Sequence, residues 1–258
     1  MGIGEAIKKG FGAAKQSMSL VGLLFVFGFI FSLLNVFLAP PGATAPVAGG
    51  APPSPGLIVT GVVFIFLSIF FQAGSMGFIR DLIKTGSASL SNFTSAGGKY
   101  YVRLLLLGIV VSLVIGVFVL LAALAMGFLT GTMAPVGVVV AILFGALGLY
   151  FVILMFLAPY AAVIDEKGVG QAIKLSMKLV KKNILTLLGL SIVLILIGFG
   201  IGLVLGAILA GLSALVKQEM ATQVAFALLS SVVNAYLGVV VTAAFMNFYL
   251  SLADRNNI

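Results

Sequence analysis

Six uninterrupted apolar runs, each long enough to cross a bilayer, constrain this chain more than any motif it carries. They fall at about 17–38, 57–79, 102–129, 136–164, 184–211 and 222–250. A hydrocarbon core about 30 Å thick takes about 20 helical residues. No water is there to bond the backbone, so each segment must satisfy its own N–H and C=O groups, as an α-helix does. Composition agrees. Hydrophobic residues make up 62% of the chain and charged residues 8%, against about 45–50% and about 25% in soluble domains. The expected fold class is an all-α integral membrane protein with six transmembrane helices.

The first run exceeds the about 7–15 apolar residues of a signal peptide. Its one small-residue cleavage candidate, Ala43-Thr44-Ala45, is followed by Pro46, so the segment is read as a retained helix. Residues 40–56 (PPGATAPVAGGAPPSPG) are uncharged and read as a loop of polyproline character. Pro159, near the end of the fourth run, is expected to bend or end that helix and to free a backbone carbonyl.

Charge fixes the expected orientation. The formal net charge is +8. An even number of spans puts both termini on one side. That side holds Lys8, Lys9, Lys15, Arg80, Lys84, Lys99, Arg103, Lys167, Lys174, Lys178, Lys181, Lys182 and Arg255, leaving Lys217 alone opposite. By the positive-inside rule both termini are cytoplasmic, in the plasma membrane. In a soluble protein this charge would point to nucleic acid; placed where helices meet one surface, it points to anionic lipid instead.

Two of the inner segments are amphipathic. Wound at about 100° per residue, residues 169–182 put Lys174, Lys178, Lys181 and Lys182 on one side and Val169, Ile173, Met177 and Val180 on the other. Such a helix rests at the bilayer surface, apolar side in the acyl boundary and lysines toward the head groups. Residues 1–16, with Lys8 and Lys15, repeat the pattern: Glu5-Ala6-Ile7-Lys8 aligns with Gln171-Ala172-Ile173-Lys174. Phe71 to Ile79 aligns with Phe156 to Ile164, and Lys99 to Gly116 with Lys181 to Gly198. The chain therefore parses into three units, about 1–79, 80–164 and 165–250. Each is an interfacial segment followed by a hairpin of two spans, and the copies run parallel. In the middle segment, Ser and Gly weaken the helix propensity.

Chemistry has little to work with. The chain has no Cys and no His, which removes disulfides, thiolate metal sites and the usual proton shuttle. Apart from Arg103 at the inner edge of the third, the spans hold no Asp, Glu, Lys or Arg, the residues that mark ion paths in pumps. Asp165-Glu166 beside Lys167 reads as a solvated turn that stops a helix, since calcium needs about 6–8 oxygens. No nucleophile–base pair and no phosphate loop is present, so no catalytic, metal or cofactor site is expected. Asn183 is placed as the N-cap of the fifth span. Gly198, Gly202 and Gly206 recur every four residues there, and close helix packing is their favoured use. Gln72, Ser75, Asn234, Tyr236, Thr242 and Asn247 are polar within spans and suit interhelical hydrogen bonds. The functional alternative is a polar path lined by Gln72, Asn234 and Tyr236.

The pattern PYAAVIDE, then QAIKLSMKLVKKN and a long apolar run, resembles the membrane domain found beside glycerophosphodiester phosphodiesterases and its stand-alone six-span relatives. Pro159, Asp165, Ala172, Ser176, Lys181 and Asn183 carry the match. The resemblance implies a six-span membrane domain and no hydrolase, because no barrel domain with metal-binding acids accompanies it. The expected role is a non-enzymatic scaffold or partner subunit whose basic helices contact anionic lipid. Its partners are membrane lipids and a neighbouring membrane or peripheral protein. The alternative is a permease or lipid-handling protein with a weakly polar central path.

Overall fold

The computed structural model describes residues 1–38, 55–215 and 218–255. Among these the ordered elements are helical: α1 Ile3–Gln16, α2 Met18–Leu38, α3 Pro55–Thr85, α4 Leu90–Phe128, α5 Ala134–Met155, α6 Ala158–Ile164, α7 Val169–Leu215 and α8 Glu219–Arg255, with one 3-10 turn at Gly131–Met133. Six helical stretches are long and apolar enough to cross a membrane, so the chain has the build of a multi-pass membrane protein. The shortest, α2, has 21 residues and is about 31 Å long at about 1.5 Å per residue. Residues 40–54 of the proline-rich connector and Lys217, on which the expected sidedness leans, lie outside the described residues.

Three helix ends differ from the sequence expectation. The second span does not give way to a separate segment at Arg80: α3 continues through Arg80, Asp81 and Lys84 to Thr85. It stops at Gly86, whose φ of +77° few L side chains adopt, and whose N–H donates to the Leu82 carbonyl at 3.0 Å. The middle segment is helical from Leu90 and joins the third span without a break. Packing overrides its weak propensity. A Cβ at Gly74 would stand 2.6 Å from the Phe93 ring, and one at Gly77 would overlap that of Ala96. The third concerns extent alone: the break expected of Pro159 is present, with α5 ending at Met155 and a separate α6 beginning at Ala158, Pro159 in its first turn.

The chain packs as two compact units. One comprises Met1–Gly98 and Leu188–Phe248, the other Lys99–Leu187 and Tyr249–Ile258. The core of the first is built on Ala73–Ile79 of α3 and Val239–Phe248 of α8, with Ala6, Ala13 and Ala14 of α1. Aromatic stacking ties α2 to α3 there: Phe27 lies 3.9 Å from Phe71 and 5.7 Å from Phe64, centroid to centroid. Such pairs add about 0.5–1.5 kcal/mol each beyond their buried area. The core of the second unit is built on α6, nearly all of it buried, with Ala172, Leu179 and Val180 of α7 and Leu252 of α8. Around both cores the spans turn Leu, Val, Ile and Phe outward, Leu113, Ile142 and Ile195 among them. A surface so apolar would aggregate in water and is stable in hydrocarbon.

Candidate functional site

The lysine-bearing part of α7 ends at Asn183, where φ −132° and ψ 24° break the helix. Ala172, Ser176, Leu179 and Val180 are buried, while Lys174, Lys178, Lys181 and Lys182 are all exposed on the opposite side. The apolar face is thus shared. Val180 goes into protein, and Val169, Ile173 and Met177 are only half-buried along its flank. Asn183 stands at the junction, where an N-cap was expected. Its carboxamide, however, donates backward, to the Leu179 carbonyl at 3.0 Å.

Helix α1 has the same construction. Ala6, Gly10, Ala13 and Ala14 are buried, and Lys8 and Lys15 are exposed. It ends at Ser17 with φ −116° and ψ 41°, and the Ser17 hydroxyl donates to the Ala13 carbonyl at 2.6 Å. At its exposed start, Glu5 and Lys9 pair at 3.2 Å. The Lys9 hydrogen bond, then its charge, hold the Glu5 carboxyl below the usual range. Burial recurs in the middle segment as well, at Phe93, Ala96, Gly97 and Tyr100. Gly10, Phe93 and Ser176 are 83 residues apart, as are Ser17, Tyr100 and Asn183. At this burial spacing Lys99 falls 83 residues before Lys182, whereas by letter it aligns with Lys181.

Each of these helices packs on the end of a returning span. On α1, a Cβ at Gly10 would stand 2.6 Å from the Val240 carbonyl oxygen and 3.1 Å from the Ala244 Cβ. Phe93 and Ala96 close on Gly74 and Gly77 of α3. Ser176 donates its hydroxyl to the Leu154 carbonyl at 2.7 Å and accepts from the Leu157 N–H at 3.1 Å. The span ends themselves, Ala73–Ile79, Ala158–Ile164 and Ala243–Tyr249, are almost wholly buried and lie 85 residues apart.

The acidic pair is more than a solvated turn. Asp165 accepts a hydrogen bond from the Tyr249 hydroxyl. Glu166 has φ +53°, uncommon for a residue with a Cβ. The Lys99 ammonium at 2.6 Å and the Tyr100 hydroxyl at 2.8 Å both bond its carboxylate, and Arg103 bonds its carbonyl at 3.0 Å. Charged and phenolic donors thus converge on one αL residue and fix the path from α6 to α7. Among the described residues no third His, Cys, Asp or Glu joins this pair in a group able to hold a metal. Sequence reading missed Tyr100 and Tyr249. The only signal was a tyrosine at the foot of an apolar run, which reads equally as an interfacial anchor.

The residues expected to line a polar path are not brought together. Asn234 lines a cavity of about 350 Å³ with Phe27, Phe31, Ser32, Phe64 and Ser231. Gln72 is exposed elsewhere on α3, and Tyr236 is half-buried with its ring 6.2 Å from that of Phe11. The Ser32 and Ser231 hydroxyls face each other at 3.4 Å. Nothing lies within 4 Å of where a Cβ would stand at Gly198, Gly202 or Gly206. Close approaches fall at other glycines, Gly10, Gly74, Gly77 and Gly97 among them, where the partner presents Ala, Phe or a bare carbonyl.

A family described as a domain of unknown function (DUF7847) matches residues 1–252, the length of the six-span build. The match shows no link to glycerophosphodiester phosphodiesterases. No curated protein and no solved structure matches the chain.

Proposed function

The chain belongs to the DUF7847 family, and from that premise we propose that it is a non-enzymatic membrane scaffold or partner subunit whose basic interfacial helices hold anionic lipid. One observation carries the reading. In residues 169–182 the protein covers Ala172, Ser176, Leu179 and Val180 and leaves four lysines exposed together on the other side. Helix α1 does the same with Lys8 and Lys15. Protein contact fixes the orientation of each helix, so the lysines are pre-positioned rather than dependent on lipid to order them. Each Lys near an anionic surface contributes about 1 kcal/mol.

The proposed architecture is three parallel hairpin repeats, each led by an interfacial helix, with both termini cytoplasmic at the plasma membrane. The 83-residue recurrence of buried positions in the leading helices and the 85-residue recurrence of buried span ends support it. So does the packing order. The second and third leading helices sit on the returning span of the unit before, and α1 sits on that of the last unit.

The test replaces Lys174, Lys178, Lys181 and Lys182 with Gln and measures the phospholipid retained by the purified protein from mixed anionic and zwitterionic liposomes. Selective loss of anionic lipid is expected, roughly 4 kcal/mol at full additivity. Unchanged retention would remove the proposal. The second reading, a permease or lipid-handling protein, is favoured by the cavity that Asn234 lines.

A further inference from the structure

We propose that the cavity walled by Phe27, Phe31, Phe64, Ser32, Ser231 and Asn234 binds an uncharged, ring-bearing amphiphile with a hydroxyl or carbonyl group. The cavity belongs to α2, α3 and α8 within one compact unit. Its volume, about 350 Å³, lies at the lower end of the about 300–1,000 Å³ of small-molecule sites.

The lining sets the ligand's chemistry. Its polar groups are two hydroxyls and two carboxamides, from Ser32, Ser231, Asn35 and Asn234, and no lining residue is charged. A charged ligand would therefore enter without a counter-ion, at a desolvation cost that nothing repays. Hydroxyls and amides both donate and accept, so they match an alcohol or a carbonyl. The apolar lining is an aromatic cluster: Phe27 and Phe64 stack on one another at 5.7 Å, 8° from parallel, and Phe31 meets Phe64 edge-on at 4.9 Å. A ligand ring can extend such a cluster by stacking or edge contact, which a branched chain cannot.

Asn234 makes the site incomplete as it stands. Ser231 is buried and shares its hydroxyl with Ser32, and Asn35 donates to the Phe31 carbonyl at 2.8 Å. The Asn234 carboxamide has no hydrogen-bond partner among the described residues. The residue is exposed at the open side of the cavity and lies well inside the apolar stretch Met220–Asp254, where hydrocarbon outside supplies its amide with no partner. A ligand head group in the cavity would meet that need. The proposal deepens the second reading but requires binding only, not transport.

The test uses the full chain in lipid nanodiscs and para-hydroxymethyl benzophenone, an uncharged ring probe that crosslinks on illumination. The para-carboxy analogue is its charged control. Saturable labelling of Leu24–Asn35 and Ser231–Ala235, competed by para-phenylbenzyl alcohol, is expected. Asn234→Leu should reduce it about tenfold. Gly28→Leu, which puts a side chain into the cavity from beside Ser231 while Asn234 itself is kept, should do the same and serves if the first variant folds poorly. Labelling spread evenly over outward residues such as Val102 and Leu113, or unchanged in both variants, overturns the proposal. Equal labelling by the carboxy probe overturns the uncharged class. A dimer dissolved by Asn234→Leu would show that a second chain meets the carboxamide, and would also overturn it. Saturable labelling without transmembrane flux of the probe supports the site and removes only the permease.

Discussion

Ser176 donates its hydroxyl to the carbonyl oxygen of Leu154 across 2.7 Å, at the point where α5 gives way to α6. The Ser176 hydroxyl oxygen in turn accepts from the Leu157 N–H. Pro159 has no N–H to donate to the Met155 carbonyl four residues back, and with the helix broken between α5 and α6 the neighbouring Leu154 carbonyl and Leu157 N–H take a side-chain partner instead. One fully buried serine from another helix supplies both a donor and an acceptor to the break. The gap in the fourth span and the seating of the lysine-bearing helix are thus one interaction.

Removing that hydroxyl strands two buried backbone groups at once. Ser176→Ala should destabilise the detergent-solubilised protein by about 1–3 kcal/mol for each stranded group, read as a lowered thermal midpoint. Ser68→Ala is the control. Ser68 is bonded only to its own helix, at the Ile65 carbonyl, in an exposed setting, and its loss should stay within about 0.5 kcal/mol. Equal effects from the two variants would mean that Ser176 is not what closes the break.

Glycine position, rather than glycine spacing, decides the next comparison. A Cβ at Gly77 would overlap that of Ala96, whereas Gly202 has open space around it. Gly77→Val should therefore cost about 1–3 kcal/mol through overpacking, and Gly202→Val should leave the single chain's stability unchanged. Both are measured by thermal unfolding alongside native-mass determination of the oligomer. Stability lost at Gly202 with mass unchanged would contradict the packing described here.

That contrast shows what was legible. Six spans, the break near Pro159 and the lysine stripe of residues 169–182 could be read because hydropathy and helical period are local properties. The fates of Gly74, Gly77 and Gly202 could not, because spacing says which residues share a face but not what stands opposite it. The middle segment aligns one way by letter and another by burial. Lys99 and Lys181 align by letter, while burial follows Phe93, Ala96 and Tyr100. Asp165 and Glu166 were read as solvent-facing because their donors lie far along the chain, at Tyr249 and Tyr100. Ser32 and Ser231, which meet in the cavity across 199 residues of sequence, carried no signal at all.

The Tyr249–Asp165 bond makes a sharper prediction than the neighbouring ion pair. Tyr249 is fully buried, and its hydroxyl bonds a carboxylate, a type worth about 1.5–3 kcal/mol. A double-mutant cycle of Tyr249→Phe and Asp165→Asn should return a coupling of about that size. Lys99 and Glu166 also pair closely, but both side chains are about half exposed, so solvent screens the charge. Lys99→Gln should leave the unfolding midpoint unchanged within error, and Tyr100→Phe, at a buried ring, should lower it. If Tyr249→Phe and Asp165→Asn simply add, the bond does not hold the turn.

Sidedness is the last prediction, and the composition makes it practical. The chain has no cysteine, so a single introduced thiol is the only one a maleimide can modify. If thirteen basic residues face the cytoplasm, then in sealed right-side-out vesicles Lys178→Cys should react with an impermeant maleimide only after permeabilisation. The Lys178 side chain is exposed, so a lack of reaction in intact vesicles cannot be laid to burial. Ala48→Cys, in the connector between the first two spans, should react without permeabilisation. The two positions are separated by an odd number of proposed spans and must answer oppositely. The same answer from both would mean that one span does not cross. The exchanged answer would invert the protein and place its lysine-bearing helices against the outer leaflet.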